Sequence, residues 1–539
     1  MAVSVAETPA EKNLEEAEVI LEGNVFMNKR MLYNVIARII SALCATLISI
    51  FLTPFIVKSL GQESYGFVGL ADNFTSYITM FTVALNGMLS RYVTIEYTKK
   101  NYEEASGFFS TAFITEIILA LILIFPLGLL SAKLDVFLNI SNEIVYDVKI
   151  LWALMFFAFL AGLANESLGS AAFARNRVDI KATISIATNV LRALVLLVSF
   201  LFFTPRMWYV GLSTIAGNTV TIIGNFWCKR KLLPEVKISW KYYNVKYIKR
   251  LLVVGVWNSL NRLQQVLCTG LDLLLANIFI DSVQMGLLSV AETIPTQITG
   301  FISTISGTFD PSMTIAYGKG NKEKFLEQTM FAMKMSGFLC SVPIIGFVCF
   351  GKDFYTLWLT SLNADDITKV HILSVLTLLQ QVFSVYIYPL YTVNNITCKL
   401  KVPVLVSLGI GVANIAIVYI LLQTTQLGVY AVAGVSSVLW IIRIFTFVPI
   451  YAAINVDVPF RTFYKPLLRG VLNVLILILM FSVINHFMDC SKWLTLGFSC
   501  LVAAIAGYAV SVFVIFGIKK PMAKIRSVMG KISGKVRKK

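Results

Sequence analysis

Charge is scarce in this chain. Only 14% of its 539 residues are Asp, Glu, Lys or Arg, against about 25% in a soluble domain. A soluble core of this size would need a charged shell, and there is too little charge to build one. Histidine is scarcer still, with only His371 and His486, far apart. The eight cysteines are scattered through apolar runs, with no CxxC and no Cys/His pair, so neither a disulfide frame nor a metal centre is expected. No GxxxxGK[ST] loop occurs, so the chain does not read as an ATPase, and no HExxH occurs either. No cleavable signal peptide is visible at the start. The first 28 residues are polar and acidic, with Glu7, Glu11, Glu15, Glu16, Glu18 and Glu22.

Apolar runs are abundant. Hydrophobic residues make up 57% of the chain. Runs of about 20 residues, enough to cross a hydrocarbon core of about 30 Å, recur from Leu32 to Gly517. Helices are the expected spanning form, because a helix satisfies its own backbone hydrogen bonds. The pattern predicts an all-α polytopic membrane protein with 14 spans: 32–57, 66–90, 107–131, 147–172, 182–203, 209–228, 251–280, 283–310, 329–351, 367–391, 402–422, 428–451, 467–487 and 493–517. Asp281-Ser282 reads as a tight helical hairpin.

The net charge of +17 is a matter of topology and does not point to nucleic acid. Basic residues collect in alternate connectors: Arg91, Lys99 and Lys100; Arg175, Arg177 and Lys181; Lys229 to Arg250; Lys319, Lys322 and Lys324; and the acid-free tail after Gly517. The positive-inside rule then places both termini in the cytoplasm. The tail reads as an anchor at anionic lipid.

An internal repeat runs at an offset of 220 residues. YGFVGLADNFTSYITMFTVALNG (65–87) aligns with MGLLSVAETIPTQITGFISTISG (285–307), pairing Gly66 with Gly286 and Asp72 with Glu292. The next loop continues the match, pairing Tyr97 with Tyr317, Lys99 with Lys319 and Asn101 with Asn321. One helix earlier, Asn34-x3-Arg38 matches Asn258-x3-Arg262. Apolar bias does not produce matched Asn, Lys and Arg. The copies are separated by an even number of spans, so they share one orientation and are related by an axis along the membrane normal. The expected organisation is an acidic leader (1–28), a first lobe of six spans (29–228), a basic linker (229–250), a second lobe (251–451), two further spans (452–517) and a basic tail (518–539).

The stretch TPFIVKSLGQESYGF (53–67), with Pro54, Leu60-Gly61 and Tyr65-Gly66, resembles the first extracytoplasmic turn of prokaryotic polysaccharide flippases. AYGKGNKEKF (316–325) resembles their second-lobe cytoplasmic loop. These belong to the multidrug/oligosaccharidyl-lipid/polysaccharide exporter superfamily. The resemblance implies a MATE-like fold, alternating access between two lobes and a place in the bacterial inner membrane. The implied cargo is an undecaprenyl-diphosphate-linked oligosaccharide, moved to the outer leaflet for O-antigen, capsule or exopolysaccharide assembly. Other polysaccharide assembly proteins become possible partners. A cation-coupled drug exporter of the same fold, or a membrane enzyme or scaffold of the pathway, stays open.

Ionisable groups in the hydrocarbon region cost roughly 2.5–3.5 kcal/mol on insertion scales, so they usually face a cavity or a partner. Arg38 and Arg262 head the candidates for cargo binding, since forked guanidinium donors match phosphate. Asn34 and Asn258, one turn away, can offer donors to sugar hydroxyls. Arg192, near the middle of its span, is hard to explain by snorkelling, the alternative for the other arginines. Asp272, Asp72 and Glu292 are candidates to couple H⁺ or Na⁺. Asp72 and Glu292 are placed near the outer ends of their spans, where a solvated helix end is the alternative. Glu166, with Asn165, and Arg443 are weaker candidates, Lys334 is expected to snorkel, and Glu116 is expected to pair locally.

Overall fold

A computed structural model describes residues 36–517 apart from Arg38, Asn176 and Cys398. All regular structure among the described residues is helical. The helices are α1 (Ile39–Leu60), α2 (Gln62–Thr98), α3 (Tyr102–Ala132), α4 (Val145–Ala174), α5 (Val178–Phe202) and α6 (Trp208–Leu232). A linker leads to α7 (Val245–Gln265), a π turn (Val266–Gly270), α8 (Asp272–Phe279), α9 (Ser282–Gly307) and α10 (Asp310–Gly318). Then come α11 (Lys322–Trp358), α12 (Ala364–Ile396), α13 (Lys401–Thr424), α14 (Val429–Phe445), α15 (Phe447–Val456), α16 (Arg461–Phe487) and α17 (Trp493–Phe516). With α7–α8, α9–α10 and α14–α15 each taken as one broken crossing, this makes 14 crossings. The Asp281 hairpin forms as expected, its side chain capping α9 at the Gln284 amide.

Helices α2 to α6 pack on one another as a first lobe, α9, α11, α12 and α14 as a second, and α16–α17 lie against α11. Ten helices among the described residues are long and apolar enough to cross a membrane. α2, α6, α7 and α9 are not among them. Of these four, α2, α7 and α9 meet along the seam between the lobes. They can carry polar residues because neighbouring helices, rather than lipid, surround them.

The repeat is visible in the backbone. Lys100 and Gly320, equivalent in the two copies, both take positive φ, at 61° and 67°. The matched Asn101 and Asn321 both cap the next helix, accepting from the amides of Glu104 and Lys324. Gly66 and Gly286 face each other across the seam. A Cβ on Gly66 would lie 2.8 Å from the Gly286 Cα. Equivalent positions touch only where the axis relating the copies passes between them. Toward the basic end, Gly255 of α7 rests on the Ala84 carbonyl of α2, with no room for a side chain.

The linker is strapped to the first turns of α3. Ser110 Oγ donates to the Lys237 carbonyl (2.9 Å), the Lys237 amide donates to Ser106 Oγ (2.9 Å), and the Asn244 amide donates to Thr111 Oγ1 (3.1 Å). Tyr247 packs against Phe108 with its ring tilted, the ring centroids 4.5 Å apart.

Gly255→Ala should therefore destabilise the protein by about 1–3 kcal/mol through overpacking. Gly128→Ala, at a helical glycine with open space around it, should be neutral or stabilising by up to about 1 kcal/mol. Thermal unfolding of both variants in detergent checks the contrast, and equal midpoints would refute the close contact.

Candidate functional site

α7 runs antiparallel to α2, and one face of it presents a polar ladder. Asn258 abuts Gly87, Ser259 Oγ donates to the Met80 carbonyl, and Arg262 Nη2 donates to Ser76 Oγ. Arg262 Nη1 also donates to Gln265 Oε1 at 2.9 Å. Arg262 stands 17 residues beyond the start of α7, about 26 Å along the helix at 1.5 Å per residue. It is half-buried in the seam, held by a hydroxyl and an amide. No ion pair to it occurs among the described residues. Asn34 and Arg38 lie outside the described residues.

The carboxylates form a second group, toward the end opposite the basic loops. Asp72 and Glu292 each lie ten residues into their helix, about 15 Å from its start. Asp272 opens α8 directly after the π turn and is 5% exposed. Its Oδ1 has no hydrogen-bond partner. The charges of Asp272 and Glu292 act on each other and on Tyr77, while Tyr65 feels Asp72 and Glu292. Asp72 is exposed yet lies within reach of the Arg192 charge. Arg192 lays its stem over Gly217 and donates to Thr214 Oγ1 at 3.2 Å, inside the first lobe.

The π turn frees backbone groups, as such turns do. Tyr77 of α2 donates to the Gly270 carbonyl, and Asn414 Nδ2 of α13 donates to the Cys268 carbonyl (3.4 Å). Asn414 Oδ1, like Asp272 Oδ1, is buried and unpartnered. Tyr65 bridges Thr53 (3.2 Å) and Thr293 (3.1 Å) between the lobes.

The structure thus gathers Asp72, Glu292 and Asp272 into one electrostatic neighbourhood, with Arg192 facing Asp72. Arg262 and Asn258 stand apart from them on the α2–α7 ladder. Among the described residues, this region between the lobes thus carries charges of both signs. Tyr77, Ser76 and Asn414 went unnoticed in the sequence. Asn414 left one signal, an amide in an otherwise apolar span. Tyr65 was visible as part of Tyr65-Gly66, without a role.

The end opposite the basic loops is closed by a latch. Asn139 and Asn277 exchange three hydrogen bonds: Asn139 amide to Asn277 Oδ1 (2.9 Å), Asn139 Nδ2 to the Asn277 carbonyl (2.7 Å), and Asn277 Nδ2 to the Asn139 carbonyl (3.0 Å). Glu63 Oε1 accepts from Ser141 Oγ and Ser282 Oγ, both at 2.7 Å.

Residues 31–314, just over half of the chain, match the family described as polysaccharide biosynthesis protein. The chain belongs to this polysaccharide biosynthesis protein family. It is a multi-pass membrane protein, similar to the uncharacterized membrane protein EpsK of Bacillus subtilis (strain 168). The two are 26% identical over 420 residues, covering 78% of this chain and 82% of EpsK. Among solved structures, it resembles the lipid II flippase MurJ in an inward closed conformation. That match has a TM-score of 0.68 at 16% identity and covers 90% of this chain and 99% of the other. It also resembles an inward-facing multidrug resistance MATE family transporter, with a TM-score of 0.63 at 15% identity, over 78% of this chain and 98% of the other. The fold of this family member is therefore MATE-like.

Asn139→Ala with Asn277→Ala should open the latch, each lost bond contributing about 0.5–1.5 kcal/mol. Hydrogen–deuterium exchange should rise over 134–144 and 276–284. Unchanged exchange there would show that the latch holds nothing.

Proposed function

We propose that this protein is a flippase. It moves an undecaprenyl-diphosphate-linked oligosaccharide across the bacterial cytoplasmic membrane for surface polysaccharide assembly, and both termini are cytoplasmic. The observation that carries the reading is Arg262. A guanidinium half-buried in the seam, without a carboxylate partner among the described residues, is expensive to keep there. An anionic head group offsets that cost when it arrives, and a diphosphate matches the forked donors. Asn258 and Ser76 supply neutral polar groups beside it for sugar hydroxyls, and Arg38 with Asn34 adds the equivalent pair from the first lobe. The polyprenyl tail stays in lipid while the lobes rock.

The carboxylates serve energy coupling. Asp272 and Asn414 present two unpartnered oxygens around the π turn, suited to H⁺ or Na⁺. Loading them biases the break in the seventh crossing, and Asp72 and Glu292 respond through the shared field. The three carboxylates also favour a second reading, an exporter of organic cations driven by an ion gradient.

Reconstituted vesicles with a defined polyprenyl-diphosphate glycan separate the two readings. Arg262→Ala should slow translocation at least about tenfold, the loss of roughly 1.4 kcal/mol, while Arg262→Lys keeps part of the rate. Asp272→Asn should abolish the dependence on an ion gradient. Wild-type rates in Arg262→Ala, or export of cationic dyes without glycolipid movement, would overturn the flippase reading. In cells, deletion should leave lipid-linked repeat units on the inner leaflet, and normal surface glycan would count against it.

A further inference from the structure

Glu116 lies on α3 within the first lobe and takes no part in the seam. It is 0% exposed. Ser167 Oγ of α4 donates to its Oε2 at 2.6 Å, while Oε1 has no hydrogen-bond partner. Asn86 of α2 stands within hydrogen-bonding range of the carboxyl, and its own buried Oδ1 is also unpartnered. Glu116 Oε1 and Asn86 Oδ1 are thus two buried acceptor oxygens without a partner.

The charged groups nearby do not supply the missing donor. From α4, Glu166 acts on Glu116 as a like charge. From α5, Lys181 stands across a pocket, with no ion pair to Glu116. α7 meets α3 nearer the basic end, where Arg250 pairs with Glu104, more than three turns away along α3. An ionised carboxylate in such a place lacks compensation. A proton on Oε1 removes the uncompensated charge and turns the orphan acceptor into a donor.

A route for that proton is present. A pocket of about 140 Å³ at the basic end is lined by Asn86, Ser90, Glu166, Ser170 and Lys181, among others, all from the first lobe. Glu166 and Lys181 are exposed. Asn86 belongs both to this pocket and to the surroundings of Glu116, and Ser167, which bonds Glu116, lies between Glu166 and Ser170. Asn86 is 14 residues along α2 from Asp72, about 21 Å at 1.5 Å per residue, so the place is distinct from the acidic group of the seam.

We propose that Glu116 is a proton-binding site of the first lobe, loaded through this pocket from the basic end and independent of any ion held at Asp272. The proton comes from bulk water through the pocket and forms an O–H bond at Oε1. Oε2 keeps the Ser167 hydrogen bond, and no other bond breaks.

Infrared difference spectroscopy of the full chain in lipid nanodiscs, titrated with pH and without cargo, reads this directly. Wild type should show the C=O stretch of a buried protonated carboxyl. Glu116→Gln should lose it, and Ser167→Ala should shift its frequency. Ser90→Trp, which fills the pocket, should slow its response to a pH jump. A band that persists unchanged in Glu116→Gln would overturn the site. If that variant does not fold, Ser167→Ala decides, and an unmoved band refutes the proposal. An unslowed response in Ser90→Trp overturns the route. No step of this experiment depends on the transported molecule, so failure here and failure of the flippase reading are told apart.

Discussion

The close approach of α2 to α9 and α7 is the constraint on which the rest of this structure depends. In lipid there is little hydrophobic drive to bring helices together, so association rests on packing and interhelical hydrogen bonds. Gly66 against Gly286 and Gly255 against the Ala84 carbonyl bring backbones into contact. Only that proximity lets Ser259 and Arg262 reach Met80 and Ser76, and Tyr77 reach Gly270. A side chain at either glycine would push the lobes apart and leave those polar groups facing each other across a gap.

Around this contact the molecule separates its polar work by depth and by lobe. The latch of Asn139, Asn277 and Glu63 closes one end. The carboxylates and the π turn lie beneath it, and the arginine ladder runs toward the basic end. The π turn allows the division, because it interrupts the seventh crossing between Arg262 and Asp272. Its carbonyls are taken by Tyr77 from one lobe and Asn414 from the other. A bend at this turn is therefore felt on both sides of the seam. The basic linker, strapped to α3 by Ser106, Ser110 and Thr111, ties the start of α7 to the first lobe, while α8 packs with α9 and α14 of the second.

Much of this was legible beforehand, for identifiable reasons. Span number and helical class follow from apolar run length against a solvent slab of known thickness. The repeat was legible because Asn101 and Asn321 perform the same capping task, and a task tied to one residue type leaves a match in the chain. Asp72 and Glu292 were found as a pair for the same reason. Helix ends in membrane proteins run past the apolar stretch, and α2 starts at Gln62 rather than at 66.

The amino-acid sequence by itself determined that this chain crosses a membrane many times as helices, that its halves repeat, and which few charges are buried in it. These are properties of composition and local order, and each can be read without knowing what touches what. Tertiary structure alone decided which of those charges meet. Asp272 joins Glu292, Arg192 turns to Asp72, and Glu116 is left with Ser167 and Asn86. The physical reason is that a helix offers a residue any of several neighbours, and the close approach of particular backbones selects one.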